Sequence, residues 1–196
     1  MKPRVFSYCK SGWNLHMMPI GYLMIEHRLI ERMIRLLSGG LKKIEKNKRA
    51  DLKLIDIAVD FIRTYADKCH HGKEEDILFR DLIKKGISPE HRKAVKELIE
   101  EHKIGRTNVA KLIEARNEYE NGVPRSLKDI KRHIKWLIEF YPKHIVKEDR
   151  QYFIPFMSYF DKKEQDEMLG EFCEFDNSPI QETYRNIVQK LESNKS

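Results

Sequence analysis

Two copies of one pattern of potential metal ligands recur in this chain of 196 residues. In each copy a single histidine is followed, on the next predicted helix, by a histidine and a glutamate four residues apart. The six residues are His27, His70, Glu74, His102, His144 and Glu148. Residues i and i+4 lie one turn apart on the same face of a helix, so each pair can bind one ion or two neighbouring ions. We therefore predict one metal site to which both copies contribute.

An internal repeat relates the two copies. His70 follows His27 by 43 residues, and His144 follows His102 by 42 residues. Each single histidine is preceded by glutamate and followed by a cation, and each second histidine begins the pattern H-x-x-K-E-[ED]-x-x-[LY]-F, in 70–79 and in 144–153. Spacings that differ by one residue between the two halves are not expected of unrelated surface histidines, so the repeat supports a shared site.

Four amphipathic helices are predicted to carry these residues. Apolar residues recur at intervals of three and four along four segments, and helix-start signals stand at Pro19, at Asp51, at Ser88 and near Pro124 or Ser126. Some of these apolar stripes carry a histidine or a glutamate where leucine or isoleucine is expected. A buried polar group without a partner costs about 1 to 3 kcal/mol, so we expect something to satisfy them.

Composition favours an all-α fold. The chain has 9 Gly and 7 Pro, and 35% of its residues are charged, a balance typical of helical proteins, while the Val and Thr that sheets favour are scarce. We predict an up-down-up-down four-helix bundle with a short additional C-terminal helix. The bundle would span 19–156, after an N-terminal extension in 1–18. A helix near 162–175 and a polar tail would follow within 157–196.

The donor types indicate which metal such a site would take. Two carboxylates can bridge a pair of ions while two imidazoles bind each ion, which leaves room for an exogenous ligand. Nitrogen and oxygen donors without thiolate favour iron or manganese over structural zinc, which often takes cysteine. We predict two non-haem iron ions, with manganese or zinc as alternatives, and no other cofactor.

At these residues the sequence resembles the hemerythrin-like family, specifically its HHE cation-binding domains. The resemblance covers about residues 18–156 and rests on E-H-R at 26–28, H-H-G-K-E-E at 70–75, E-H-K at 101–103 and H-x-x-x-E-D at 144–149. It implies a four-helix bundle with a non-haem di-iron centre, which the family uses for oxygen binding, for oxygen or iron sensing, and sometimes for peroxide or nitric oxide chemistry. Oxygen carriers have a second histidine four residues before or after the one matched by His102, where this chain has Leu98 and Arg106. Reversible oxygen transport is therefore not expected.

The second predicted helix offers an alternative pair of ligands, because His71 and Glu75 also stand four residues apart. At about 100° per residue, His70 and Glu74 fall closer to the apolar face than His71 and Glu75 do, and the alignment of the repeat agrees. A break at Gly72 could rotate the later residues, so both registers stay open. The favoured register predicts that His70→Ala empties the site while His71→Ala leaves the metal largely bound.

Three functions fit these residues. The first is a protein that binds or senses dioxygen, peroxide or nitric oxide at a carboxylate-bridged di-iron site, with no catalytic residue assigned. The second is a di-iron oxidase or peroxidase. The third is an iron- or oxygen-responsive regulatory module that acts through a protein partner. Motifs for binding phosphate or for an activated nucleophile are not found in the sequence.

Charge and cysteine usage suggest the surroundings of the protein. Residues 1–50 hold 11 Lys and Arg against 3 Asp and Glu, which we interpret as a solvated helix face, so neither nucleic acid nor a membrane is expected as a partner. No long apolar segment suggests a secretory signal or a membrane span. Three cysteines, an odd number, fit free thiols in a reducing compartment. We therefore predict a cytoplasmic protein.

Overall fold

The computed structural model describes residues 17–176 and 179–194 of the chain. Within these ranges it forms six helices and no strand, which confirms the predicted all-α bundle. The helices are α1 (Pro19–Asn47), α2 (Leu52–Phe61 continued by Ile62–His71, Glu74–Phe79 and Arg80–Ile83), α3 (Pro89–Glu120), α4 (Ser126–Lys147 continued by Glu148–Tyr152 and Phe153–Met157), α5 (Lys162–Phe175) and α6 (Ile180–Ser193). The predicted N-terminal extension lies outside the described residues apart from its last two.

Local signals explain where the first three helices begin. Pro19 is the first residue of α1, a position that its fixed φ suits. The Asp51 side chain accepts a hydrogen bond from the Leu54 N–H at the start of α2. The Ser88 side chain accepts one from the His91 N–H at the start of α3. Each cap satisfies a backbone donor that the helix itself leaves without a partner.

Helix α2 departs from α-helical geometry beside the predicted ligands. It is π-helical over Ile62–His71 and Glu74–Phe79, and α4 is π-helical over Glu148–Tyr152. In a π-helix each N–H bonds to the carbonyl five residues earlier, as the Gly72 N–H does to Asp67, so each residue turns through less than the ~100° of an α-helix. Gly72 does not break α2. Successive side chains therefore diverge less around the helix axis here than in an α-helix.

The four long helices pack around two apolar clusters with the predicted ligands in a layer between them. Along α1, His27 stands between Leu23 of one cluster and Ile30 of the other. The same succession of one cluster, a ligand and the other cluster occurs along α2, α3 and α4. All four helices thus present polar side chains to the interior at the same level of the bundle.

The C-terminal segment is more structured than the sequence suggested. Helix α5 lies where a short helix was predicted, but the segment predicted as a polar tail contains α6. Phe172 of α5 belongs to the apolar cluster around Leu23, and Tyr184 and Val188 of α6 belong to the cluster around Ile30. The apolar residues of α6 have helical spacing, but this pattern was not recognised because most residues of the segment are polar.

The cysteines only partly match the prediction of free thiols. Cys69 is free and buried, but Cys173 is disulfide-bonded, so the prediction is wrong for Cys173. Disulfides are more typical of oxidising compartments. The third cysteine, Cys9, lies outside the described residues. Within the described ranges no helix has both the length and the apolar character that crossing a membrane would require. The cytoplasmic location stays a prediction.

Candidate metal centre

Six predicted ligands from four helices meet in the layer between the two apolar clusters. Helix α1 supplies one histidine, α3 supplies another, and α2 and α4 each supply a histidine and a glutamate four residues later. All six side chains are at most 2% exposed: His27, His70, Glu74, His102, His144 and Glu148. Burial of this much polar surface is unfavourable unless other groups compensate it.

The atoms that could bind metal face one another. His27 Nε2 lies 3.2 Å from one oxygen of Glu148, and His70 Nε2 lies 3.2 Å from one oxygen of Glu74. On the other side, His102 Nε2 lies 3.4 Å from the second Glu74 oxygen and His144 Nε2 lies 3.3 Å from the second Glu148 oxygen. Each carboxylate therefore has one oxygen directed to each pair of histidines. We call the side of His27 and His70 the first position and the side of His102 and His144 the second position.

None of these eight atoms has a hydrogen-bond partner among the described residues. They are the Nε2 atoms of the four histidines and both carboxylate oxygens of the two glutamates. Native proteins pair the great majority of buried polar atoms, so an unpaired group in one place calls for an explanation. Four imidazole nitrogens and two bidentate carboxylates form a donor set that a pair of divalent or trivalent cations would satisfy.

His71 joins this cluster although the sequence analysis favoured leaving it out. It forms a group with His102 and His144 whose possible ligand atoms lie within 4.8 Å of one another, and its ring stacks on His102 with centroids 3.8 Å apart. Burial, and then the neighbouring His102 and His70, keep the pKa of His71 well below its usual value, so its ring is neutral. A neutral imidazole is the form that binds metal. The second position thus has three histidines and the first has two.

The π-helical geometry explains why His70 and His71 of α2 both face the interior of the bundle. In an α-helix, at about 100° per residue, His70 and His71 would be separated by more than a quarter of a turn. The smaller angle within Ile62–His71 brings both rings towards the interior. Glu75, the other member of the alternative pair, instead accepts a hydrogen bond from the Nδ1 of His102 at 2.7 Å. The expectation that His71→Ala leaves the metal largely bound therefore changes to loss of a donor at the second position.

Each of the four paired histidines donates its other ring nitrogen to a carboxylate. The four hydrogen bonds from Nδ1 are His27 to Asp149 at 2.7 Å, His70 to Glu26 at 2.9 Å, His102 to Glu75 at 2.7 Å and His144 to Glu101 at 2.8 Å. Such a bond fixes the tautomer in which Nε2 carries the lone pair, and it raises the basicity of the ligand. These carboxylates belong to the repeated motifs of the sequence, but their role is apparent only from the structure.

An arginine or lysine side chain in turn forms an ion pair with each of these outer carboxylates. The pairs are Arg28 with Asp149, Lys73 with Glu26, Arg106 with Glu75 and Lys147 with Glu101. The repeat therefore encodes more than the ligands. The glutamate before each single histidine and the acidic residues after Glu74 and Glu148 are the partners of the histidines. The shared lysine binds one of those carboxylates in each half. Both halves of the repeat carry these residues at equivalent positions. Their role could have been inferred from that agreement.

Electrostatics in the cluster favour positive charge. Burial raises the pKa of Glu148, but His144, His102 and His27 outweigh it and hold that pKa well below its usual range. Burial lowers the pKa of His70, yet Glu74 and Glu26 raise it to about 10, and similar contacts raise the pKa of His102 to about 9. The buried carboxylates thus draw protons onto the imidazoles, and bound cations would supply that charge in place of the protons.

The C-terminal helices cover one outer carboxylate but not its counterpart. Lys73 is fully buried, with its Nζ 2.5 Å from Glu26 and 2.6 Å from Asp176, just after α5. Gln181 of α6 also donates to Glu26. By contrast, the side chains of the equivalent pair, Lys147 and Glu101, are about a quarter exposed, at 27% and 25%. The two halves of the site therefore differ in how firmly their surroundings enclose them.

A further acidic group next to Lys73 does not form a second metal site. Glu26, Cys69 and Asp176 lie close enough together to be considered as ligands. The Lys73 ammonium, however, lies within 3.4 Å of a polar atom of each of the three. Burial, followed by Glu26, raises the pKa of Cys69, so its thiol stays protonated and is a poor ligand.

Comparison with known proteins identifies one family. The family model of the hemerythrin HHE cation binding domain matches residues 18–155, a range that contains all six predicted ligands and His71. No curated protein and no solved structure matches the chain significantly.

Replacing a ligand should empty part of the site, whereas replacing another buried histidine should not. We expect His102→Ala to lower the metal content of iron-reconstituted protein by about half, because it removes a donor from the second position. His133→Ala is the matched control. His133 is buried and bonded to Asn108 at 2.7 Å, but it lies outside the cluster. Elemental analysis would contradict the assignment if both variants lost the same amount of iron.

Two equivalent outer carboxylates should give different results when neutralised. Glu26→Gln and Glu101→Gln should each weaken metal binding by roughly 10- to 100-fold, since each replaces the charged acceptor of a histidine Nδ1–H by a neutral amide oxygen. Only Glu26→Gln should also destabilise the metal-free protein strongly, because it leaves the buried Lys73 with one carboxylate fewer. Competition with a chelator and unfolding in denaturant measure the two effects. Unchanged metal affinity in both variants would refute the role of these carboxylates.

Proposed function

The chain belongs to the hemerythrin HHE cation-binding family, and from that premise we propose that it holds a dinuclear non-haem iron centre which binds or senses dioxygen or another small ligand, such as peroxide or nitric oxide. The observation that carries this proposal is the set of eight buried donor atoms, directed at one another from four helices and without hydrogen-bond partners among the described residues. His27 and His70 would hold one ion, His71, His102 and His144 the other, and Glu74 and Glu148 would bridge them.

The choice of iron is supported by donor chemistry. All the donors in the cluster are nitrogen or oxygen atoms, and Cys69, the free thiol, contacts Lys73 and Asp176 instead. Structural zinc usually takes four ligands and often thiolate, whereas a set with bridging carboxylates and imidazoles suits iron or manganese. Iron bound here would supply reversible one-electron chemistry and a coordination position for a small ligand.

The protein's own residues prepare the site for that role. The first position has four protein donors, namely two imidazoles and two carboxylate oxygens, and the second has one imidazole more. The first position therefore leaves more room for an exogenous ligand. Phe153 stacks on the His27 ring with centroids 5.7 Å apart, so an apolar wall adjoins this position and limits the access of water.

One observation favours a regulatory module as the second candidate function. Asp176 and Gln181, on the C-terminal side of the bundle, reach the Glu26 and Lys73 pair that orients His70. Metal occupancy and docking of α5 and α6 would then be linked, and a protein partner could respond to the change. Limited proteolysis separates the two functions, because a regulatory module should release its C-terminal helices when metal is removed.

We expect the reduced, iron-loaded protein to show a saturable change in its visible spectrum when nitric oxide is added. Glu148→Ala should abolish this change, because Glu148 faces both positions. Glu139→Ala, at an exposed glutamate on the same helix, should leave it intact. An unchanged spectrum in protein that retains its iron would refute small-ligand binding. Continuous consumption of hydrogen peroxide in the presence of an added reductant would instead identify a peroxidase, and continuous consumption of dioxygen with that reductant would identify an oxidase.

A further inference from the structure

A cavity of about 340 Å³ lies between α2 and α3, beside the second position. His71 and His102 form part of its wall, so it reaches the candidate metal centre. Exposed residues of α3, among them Arg106 and Ala110, form its rim, so it also opens to the surface. A dioxygen or peroxide molecule would fill only a small part of this volume, since a water molecule occupies about 30 Å³ of liquid.

The cavity has mostly apolar walls. Ile62 of α2 and Val109 and Ile113 of α3 contribute aliphatic side chains. Gly105 contributes no side chain, and a Cβ atom there would contact only Phe140, at 3.7 Å. The absence of a side chain at Gly105 thus leaves space directly beside the histidines. Apolar walls with a few polar groups are typical of sites for small organic molecules.

A buried tyrosine forms part of the wall of this cavity. Tyr141 lines the cavity and is 2% exposed. Burial, and then Asp67, raise the pKa of Tyr141, so the phenol keeps its proton and can donate. Buried tyrosine hydroxyls usually have a hydrogen-bond partner, and a ligand in this cavity would supply one.

The charged residues of the cavity leave no net charge for an ionic ligand. Arg106 binds Asp67 at 2.7 Å and also binds Glu75. The other two charged lining residues, Arg63 and Glu114, have opposite signs and are exposed at the rim. A molecule inside would meet aliphatic walls, imidazole rings and one phenol rather than an unpaired charge.

We propose that this cavity binds a neutral, mainly apolar organic molecule, about the size of one substituted aromatic ring, whose single hydroxyl or carbonyl group accepts a hydrogen bond from Tyr141. The site is distinct from the position of the small ligand at the first pair of histidines. The inference rests on the proposed function only in placing the organic molecule beside a metal centre.

Two probe molecules of similar shape test the proposal. Calorimetry on the full chain, with and without iron, should detect binding of p-cresol and weaker binding of toluene, which lacks the hydroxyl group. Tyr141→Phe should weaken p-cresol binding by about three- to tenfold, the loss expected for one hydrogen bond, and should leave toluene binding unchanged. Ala110→Trp, at the rim, should block both probes, while Lys103→Trp, at an exposed site on the same helix, should block neither.

The outcomes separate this inference from the proposed function. Failure of p-cresol to bind iron-loaded protein, or binding that Ala110→Trp and Tyr141→Phe leave unchanged, would overturn the inference even if iron were present. Binding of p-cresol to protein that takes up no iron would support the cavity and refute the di-iron proposal. Iron content and helical content measured on each variant ensure that a lost signal reflects the cavity rather than failure to fold.

Discussion

The structure depends on two carboxylates, Glu74 and Glu148, that lie fully buried among histidines in the middle of a helical bundle. A buried carboxylate is stable only beside positive charge and hydrogen-bond donors. Here four imidazole nitrogens surround the two carboxylates, and neither carboxylate forms a hydrogen bond with the described residues. The arrangement is therefore costly for a protein without metal and favourable for one with metal. Folding of this layer and binding of cations are two parts of one equilibrium.

The surroundings of the ligands serve that requirement. Apolar clusters above and below the layer exclude water, so the charges interact in a medium of low dielectric constant. Four outer carboxylates orient the histidines, and four arginine or lysine side chains form ion pairs with those carboxylates. The layers of charge thus alternate from the centre outwards. Because the C-terminal helices bury Lys73 but leave Lys147 partly exposed, the first position is more rigidly enclosed than the second.

The fold class, and the burial of the six predicted ligands in one layer, could be predicted from the sequence because both depend on periodic patterns. Apolar spacing predicts amphipathic helices, and a repeat with polar residues on the apolar face shows where they converge. The position of His71 in the cluster could not be predicted from these patterns. It depends on π-helical geometry, which no residue pattern in α2 indicates. Helix α6 was not predicted because its apolar stripe is short. The helix is held in place by the packing of Tyr184 against Phe61 and Tyr65, residues that are close to it only in the tertiary structure.

The central claim is that two cations occupy the layer between the apolar clusters and share Glu74 and Glu148. Anomalous diffraction from crystals of the iron-loaded protein, measured on both sides of the iron absorption edge, tests it most directly. Our account predicts two iron peaks, one beside His27 and His70 and one beside His71, His102 and His144, with both carboxylates between them. A single peak, or peaks away from these residues, would contradict the account.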